Sequence, residues 1–187
     1  MYCFSKILTR PKFRLNIRTL ILGIETSCDD TGVAVIDNNG QILADSIHSQ
    51  TSSRMGGVIP TFAMNSHAAN IHSLVTETLD KANITPDKLS AVAVSNRPGL
   101  KGSLLVGTDY AKYLCLKHKL PMIPVHHMEA HALTARMINS ELTQFPFLVL
   151  LISGGHCLIA LARDIDKYSL LGELCYKLFD FDLNVLL

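Results

Sequence analysis

No run of apolar residues in this chain is long enough to cross a bilayer. The longest uninterrupted aliphatic stretch, FLVLLI at 147–152, is far below the roughly twenty residues of a spanning helix. It reads as a buried strand, and no membrane association is expected. The five cysteines (Cys3, Cys28, Cys115, Cys157 and Cys175) are odd in number and contain no C-x-x-C, which argues against a disulfide framework and a zinc knuckle. A reducing compartment fits, and the mitochondrial matrix is one. Internal repeats and low-complexity tracts are also missing. Charged residues make up only 18% of the chain and apolar residues 48%, the balance of a compact globular protein rather than a disordered one.

Negative charge is absent from the beginning. The first acidic residue is Glu25, and before it come Lys6, Arg10, Lys12, Arg14 and Arg18, with Ser5, Thr9 and Thr19 between them. A basic, hydroxyl-bearing, acid-free leader over residues 1–19 reads as a mitochondrial presequence; a disordered basic arm touching nucleic acid is the alternative. Without those five charges, twelve basic residues face sixteen acidic ones, a net of −4. Such a body is a poor electrostatic match for RNA unaided, so a nucleic-acid role would need a local patch or a partner.

What is present alternates strand and helix. LILGIET (20–26), TGVAVID (31–37) and QILADSIHS (41–49) are three strands, the last two separated by the turn signal NNG. From Thr61 to about Lys81, Ala68, Ile71, Leu74, Val75, Thr78 and Leu79 recur at helical spacing. AVAVS (91–95) is a buried strand, 102–118 a helix, MIPV (122–125) a short strand and 127–138 a helix. FPFLVLLIS (145–153) and CLIALAR (157–163) form a strand pair turning at Gly154-Gly155. The order predicts an α/β fold with a mixed sheet and flanking helices.

Four stretches have the residue types that chemistry requires. In GIETSCDDTGVAV (23–35) a tight hairpin presents hydroxyls and backbone N–H groups that suit an anion, and carboxylates that suit a cation; an ordinary polar hairpin is the alternative. Two neighbouring carboxylates disfavour Cys28 as a nucleophile. In LISGGHC (151–157) the glycines allow close backbone approach to a ligand, or simply form a Gly-Gly hairpin. NRPGLKGSLLVGT (96–108) places Ser103 near a helix start, which binds anions or is merely capped. In HHMEAH (126–131), His127 and His131 lie four apart on one helix face, with metal-ligand spacing. Two surface histidines would share that spacing. The order H-M-E-A-H differs from the H-E-x-x-H of zinc peptidases, and Glu129 points away from the pair.

Taken in order, LGIETSCDDT, GGVIP, RPGLKGSLLVG, IPVHHMEAHAL and FPFLVLLISGGH resemble the tRNA N6-adenosine threonylcarbamoyltransferase family, its mitochondrial branch in particular. The resemblance implies an actin/Hsp70-like ATPase fold of two lobes with RNase H-like cores. The implied reaction transfers threonylcarbamoyl from threonylcarbamoyl-AMP to N6 of adenosine 37 in tRNAs reading codons that begin with A. By the same resemblance His127 and His131 are the metal pair for one zinc or iron ion per subunit, with a further carboxylate ligand from elsewhere. Leu151, Ile152, Ser153, Gly154 and Gly155 are the substrate loop, and Glu25, Ser27, Asp29 and Asp30 line the cleft floor. A mitochondrial matrix location, tRNA as partner and a homodimer are further expectations.

The likeness is looser at PTFAMNSH and SNRPGL, so His67 and Arg97 gain no role from it. It fades from about Leu174, giving an expected leader at 1–19, one amino-terminal lobe at 20–173, a divergent tail at 174–187 and no second lobe. A catalytically inert fragment that at most binds a partner is the rival expectation. In the tail, Phe179, Phe181, Leu183, Val185 and Leu187 alternate with Asp180, Asp182 and Asn184. That is a one-sided strand pattern, and it lacks the glycine and glutamate of a calcium loop.

Overall fold

The computed structural model describes residues 19–50, 56–139, 141–153 and 156–175. The basic leader up to residue 18, Gly154, Gly155 and the tail from residue 176 lie outside the described residues, and so do the expectations placed on them.

Strands β1 (Leu20–Glu25), β2 (Thr31–Asp37) and β3 (Ile42–His48) form an antiparallel meander. Its second turn is built by Asp37, whose Oδ1 accepts the N–H groups of Asn39 and Gln41 at 2.9 and 3.0 Å. Helix α1 (Pro60–Ala82) crosses to β4 (Ala91–Arg97), α2 (Lys101–His118) leads to β5 (Met122–His126), and α3 (His127–Ile138) follows without a break. The sheet order is β3-β2-β1-β4-β5, with β4 parallel to both β1 and β5.

Every residue of β1 and β2 is buried, because both faces of the sheet are covered. On one face Leu22, Ile24, Val33 and Val35 pack with Ile71, Leu74 and Val75 of α1 and with Leu114 of α2. On the other, Ile21, Ala34, Ile36, Ala93 and Val125 meet Ala130 of α3. Each fully buried aliphatic side chain contributes about 1.5–3 kcal/mol. This two-sided burial explains why LILGI and AVAV read as unbroken apolar runs rather than alternating ones.

Two features depart from the sequence reading. The α1 position buried at the upper end of the stripe is His67, not Ala68, which is exposed. The second is a third strand beside the carboxy-terminal pair. β6 (Phe147–Ser153), β7 (His156–Asp164) and an unanticipated β8 (Lys167–Cys175) form a separate antiparallel sheet in the order β6-β7-β8. It repeats the antiparallel meander of β1–β3.

The second sheet is apolar on both faces. Phe147, Val149, Leu151, Ala162 and Tyr168 pack toward Ala132 of α3. On the opposite face Leu148, Leu150 and Ile152 are between 62% and 65% exposed, so that face is uncovered among the described residues. No helix among the described residues is long and apolar enough to cross a membrane.

Candidate functional site

The end of β1, the loop after it and the start of α3 meet at one place. Glu25 closes β1 and is buried. Its Oε1 accepts the Ser27 N–H at 2.6 Å, while Oε2 lies 3.2 Å from Nδ1 of His127. Ser27 Oγ sits 3.1 Å from that nitrogen and 3.4 Å from the ring's Nε2. On the far side, His127 Nε2 and His131 Nε2 are 3.0 Å apart, with the two rings nearly perpendicular.

This geometry orders the protons. A carboxylate at Nδ1 makes that nitrogen an N–H donor, and Nε2 of His127 is directed at His131. Burial by itself would raise the Glu25 pKa, but the hydrogen bond and charge of His127, with the hydrogen bonds of Ser27, outweigh it and hold the carboxyl at about 2. Glu25 is therefore anionic at neutral pH. Burial, and then His127 nearby, depress the pKa of His131, so its imidazole is favoured in the neutral, ligating form.

Two imidazole nitrogens bound to one ion at about 2.0–2.1 Å, with angles between 90° and tetrahedral, lie about 2.9–3.4 Å apart. The observed 3.0 Å falls in that range. A carboxylate on the other ring nitrogen is the usual outer-shell arrangement of a ligating histidine. The residues present thus fit a divalent ion held by His127 and His131 and oriented by Glu25. A third ligand is not assembled, since among the described residues no group of three metal-binding side chains converges.

The remaining candidates are placed as follows. Asp29 is half-buried and Asp30 exposed on the turn after Ser27; the contacts to His127 come from Glu25 and Ser27. Partial burial, and next Asp29, raise the Cys28 thiol pKa, which agrees with denying it a nucleophilic role. Leu151 and Ile152 point to opposite faces of β6. Leu151 lines a cavity of about 580 Å³ with Arg97, His126, Met128, Glu129 and Tyr168 among others, while Ile152 lies on the uncovered face. The backbone of Ser153 pairs with His156 at the hairpin end. One cavity is therefore bordered by neighbours of the histidine pair and by Leu151, the first residue of the stretch expected to bind substrate.

Sequence reasoning missed what holds the 26–30 loop in place. Leu100 N–H donates to Ser27 O at 2.8 Å, and Thr26 Oγ1 donates to Ser103 O at 2.8 Å. Gly99 passes so close that an added Cβ would stand 2.4 Å from Ser27 O and 2.9 Å from Ser27 Cβ. The glycine of RPGLKG is a contact point against the residue that touches His127; the Pro-Gly pair signals a turn but not what the turn rests on. Gly99→Ala is expected to cost about 1–3 kcal/mol, as overpacking does, measured by urea unfolding. Stability equal to the parent's would contradict this contact.

A five-stranded 3-2-1-4-5 sheet with an antiparallel second strand, helices on both faces and a polar site at the carboxyl ends of β1 and β4 defines an actin/Hsp70-like ATPase lobe with an RNase H-like core. YeaZ from Pseudomonas aeruginosa shares this fold at a TM-score of 0.57 and 16% identity, over 84% of this chain and 68% of that one. The family profile of tRNA N6-adenosine threonylcarbamoyltransferase matches residues 41–180. The mitochondrial tRNA N6-adenosine threonylcarbamoyltransferase of Danio rerio is 51% identical over 167 residues, 88% of this chain and 39% of that protein. The human mitochondrial protein of the same name is 48% identical over 85% of this chain and 38% of its own length, and the Anaplasma marginale enzyme 47% over 82% and 45%. The chain belongs to the tRNA N6-adenosine threonylcarbamoyltransferase family. It spans about 39% of the length of the first of these relatives.

Proposed function

We propose that this chain acts in transferring the threonylcarbamoyl group from threonylcarbamoyl-AMP to N6 of adenosine 37 in mitochondrial tRNAs reading codons that begin with A. The observation that carries the reading is the 3.0 Å convergence of His127 and His131 Nε2 with Glu25 behind it, set in a chain of this family. A zinc or iron ion held by that pair would supply Lewis-acid polarisation of the carbamoyl carbonyl. Glu25 fixes the His127 ring and keeps its proton on Nδ1. Leu151 faces the cavity beside the pair, and the backbone of Ser153 to Gly155 is the segment assigned to the charged part of the adenylate. Mitochondrial location is supported by the names of the relatives and by the basic leader.

The test is the threonylcarbamoyladenosine content of mitochondrial tRNA in cells lacking this gene. Loss of the nucleoside, restored by the parental sequence but not by one with both histidines replaced, is the expected result. Unchanged modification would overturn the reading. A second reading, an inert partner-binding module, is favoured by the uncovered Leu148, Leu150 and Ile152 face. Catalysis by purified 1–187 supplied with tRNA and synthetic threonylcarbamoyl-AMP would exclude it.

A further inference from the structure

The two halves of the proposed site sit on different sheets. His127 and His131 belong to α3, which packs on the first sheet through Ala130. Leu151 to Ser153 belong to β6 of the second sheet. Part of the contact between α3 and the second sheet is apolar, with Ala132 set against Val149 and Ala162. Such contacts resist separation but tolerate sliding, because dispersion has little directionality.

A hydrogen bond crosses this interface. Glu129 lies in sequence between the two histidines, but two residues from each on a helix it faces away from both. It is 9% exposed, and its Oε1 accepts the backbone N–H of Asp166 at 3.1 Å. Asp166 sits in the β7–β8 turn at φ 64, a left-handed conformation rarely adopted by non-glycine residues. This carboxylate thus grips a turn whose shape sets how β7 and β8 leave each other, and β7 pairs with β6 from His156 to Ala162. A charge-assisted bond to a backbone N–H is short-ranged and angle-dependent, so it fixes position where the apolar contacts do not.

We infer that Glu129 is a positioning residue: through the Asp166 N–H it sets the second sheet, and with it Leu151 to Ser153 at the end of β6, against the helix that carries His127 and His131. The role of what is aligned rests on the proposed function; the alignment itself rests on the geometry alone. The residue touches no reacting atom in this account, and its spacing from the histidines serves to face the other way.

Two variants of the chain separate the cases. Glu129→Gln keeps the Oε1 acceptor, and Glu129→Ala removes it. Amide hydrogen exchange at Asp166 is expected to be at least about tenfold faster in Glu129→Ala and within about threefold of the parent in Glu129→Gln. Cobalt(II) bound at the histidine pair adds a readout that loss of stability alone would not move. The pseudocontact shifts of the Leu151, Ile152 and Ser153 amides are expected to change in the alanine variant and to return in the glutamine one, with cobalt affinity unchanged in both. Unaltered exchange at Asp166 in Glu129→Ala would overturn the inference, as would unaltered pseudocontact shifts in that variant. Failure of the parent to bind cobalt would count against the metal reading, and the exchange measurement would still decide the role of Glu129.

Discussion

Replacing His127 and His131 together with alanine is expected to lower the affinity of the chain for zinc by more than about 100-fold while leaving it folded. Loss of an outer-shell partner alone typically costs 10–100-fold in metal affinity, and this variant removes both ligating nitrogens. The fold survives because neither ring is part of the apolar clusters that cover the first sheet. The local cost is the bond from His127 to Glu25, and Glu25 keeps the Ser27 N–H at 2.6 Å. That bond is worth about 1–2 kcal/mol. Glu25→Gln leaves both ligands in place but replaces the anionic acceptor on Nδ1 with an amide. It is expected to weaken zinc by about 10–100-fold, less than the double variant. Competition with a chromophoric chelator, with circular dichroism recorded on the same samples, measures both. Parental zinc affinity in the double variant would remove the metal centre from this chain.

How far the sequence revealed this site depends on which side chains act through local spacing. The pairing of His127 with His131 is an i, i+4 relation on one helix, so it was legible without any tertiary information. Helix 127–138 was read at its observed bounds because the strand before it and the periodic face within it both signal the start. Glu25 and Ser27 were placed in a cleft, but their contact with His127 spans about a hundred residues. It follows only from β1 and β4 being parallel neighbours, with β5 delivering α3 alongside. Strand patterns give the number of strands, and nothing in FPFLVLLIS states which sheet it joins. β8 went unread because a register shift between Ile159 and Ala160 sets Leu170 and Leu171 out of simple alternation. Glu129 was read as pointing away from the metal pair, which the helix period dictates. What it reaches lies on the β7–β8 turn, thirty-seven residues later.

His67 shows the opposite failure, a residue passed over because the apolar stripe of α1 skips polar letters. It is fully buried. Its Nε2–H donates to Cys28 O at 2.9 Å, and its Nδ1 accepts from Thr31 Oγ1 at 2.7 Å. The ring therefore pins both ends of the turn that carries Asp29 and Asp30, directly after the Ser27 that touches His127. His67→Ala removes three things at once: the ring volume, the donor for Cys28 O and the acceptor for the buried Thr31 hydroxyl. A vacated core position costs a few kcal/mol, and each buried polar group left unpaired adds about 1–3. The expected total is at least about 4 kcal/mol, a large share of the roughly 5–15 kcal/mol that holds a domain together. His67→Gln restores one polar contact but not the ring, and is expected to recover about 1 kcal/mol of that loss. Urea unfolding of the two variants, followed by circular dichroism, gives both numbers. If His67→Ala unfolded within about 1 kcal/mol of the parent, the turn would be held by the Leu100 and Thr26 contacts alone. The buried imidazole would then have no part in shaping the turn beside His127 and His131.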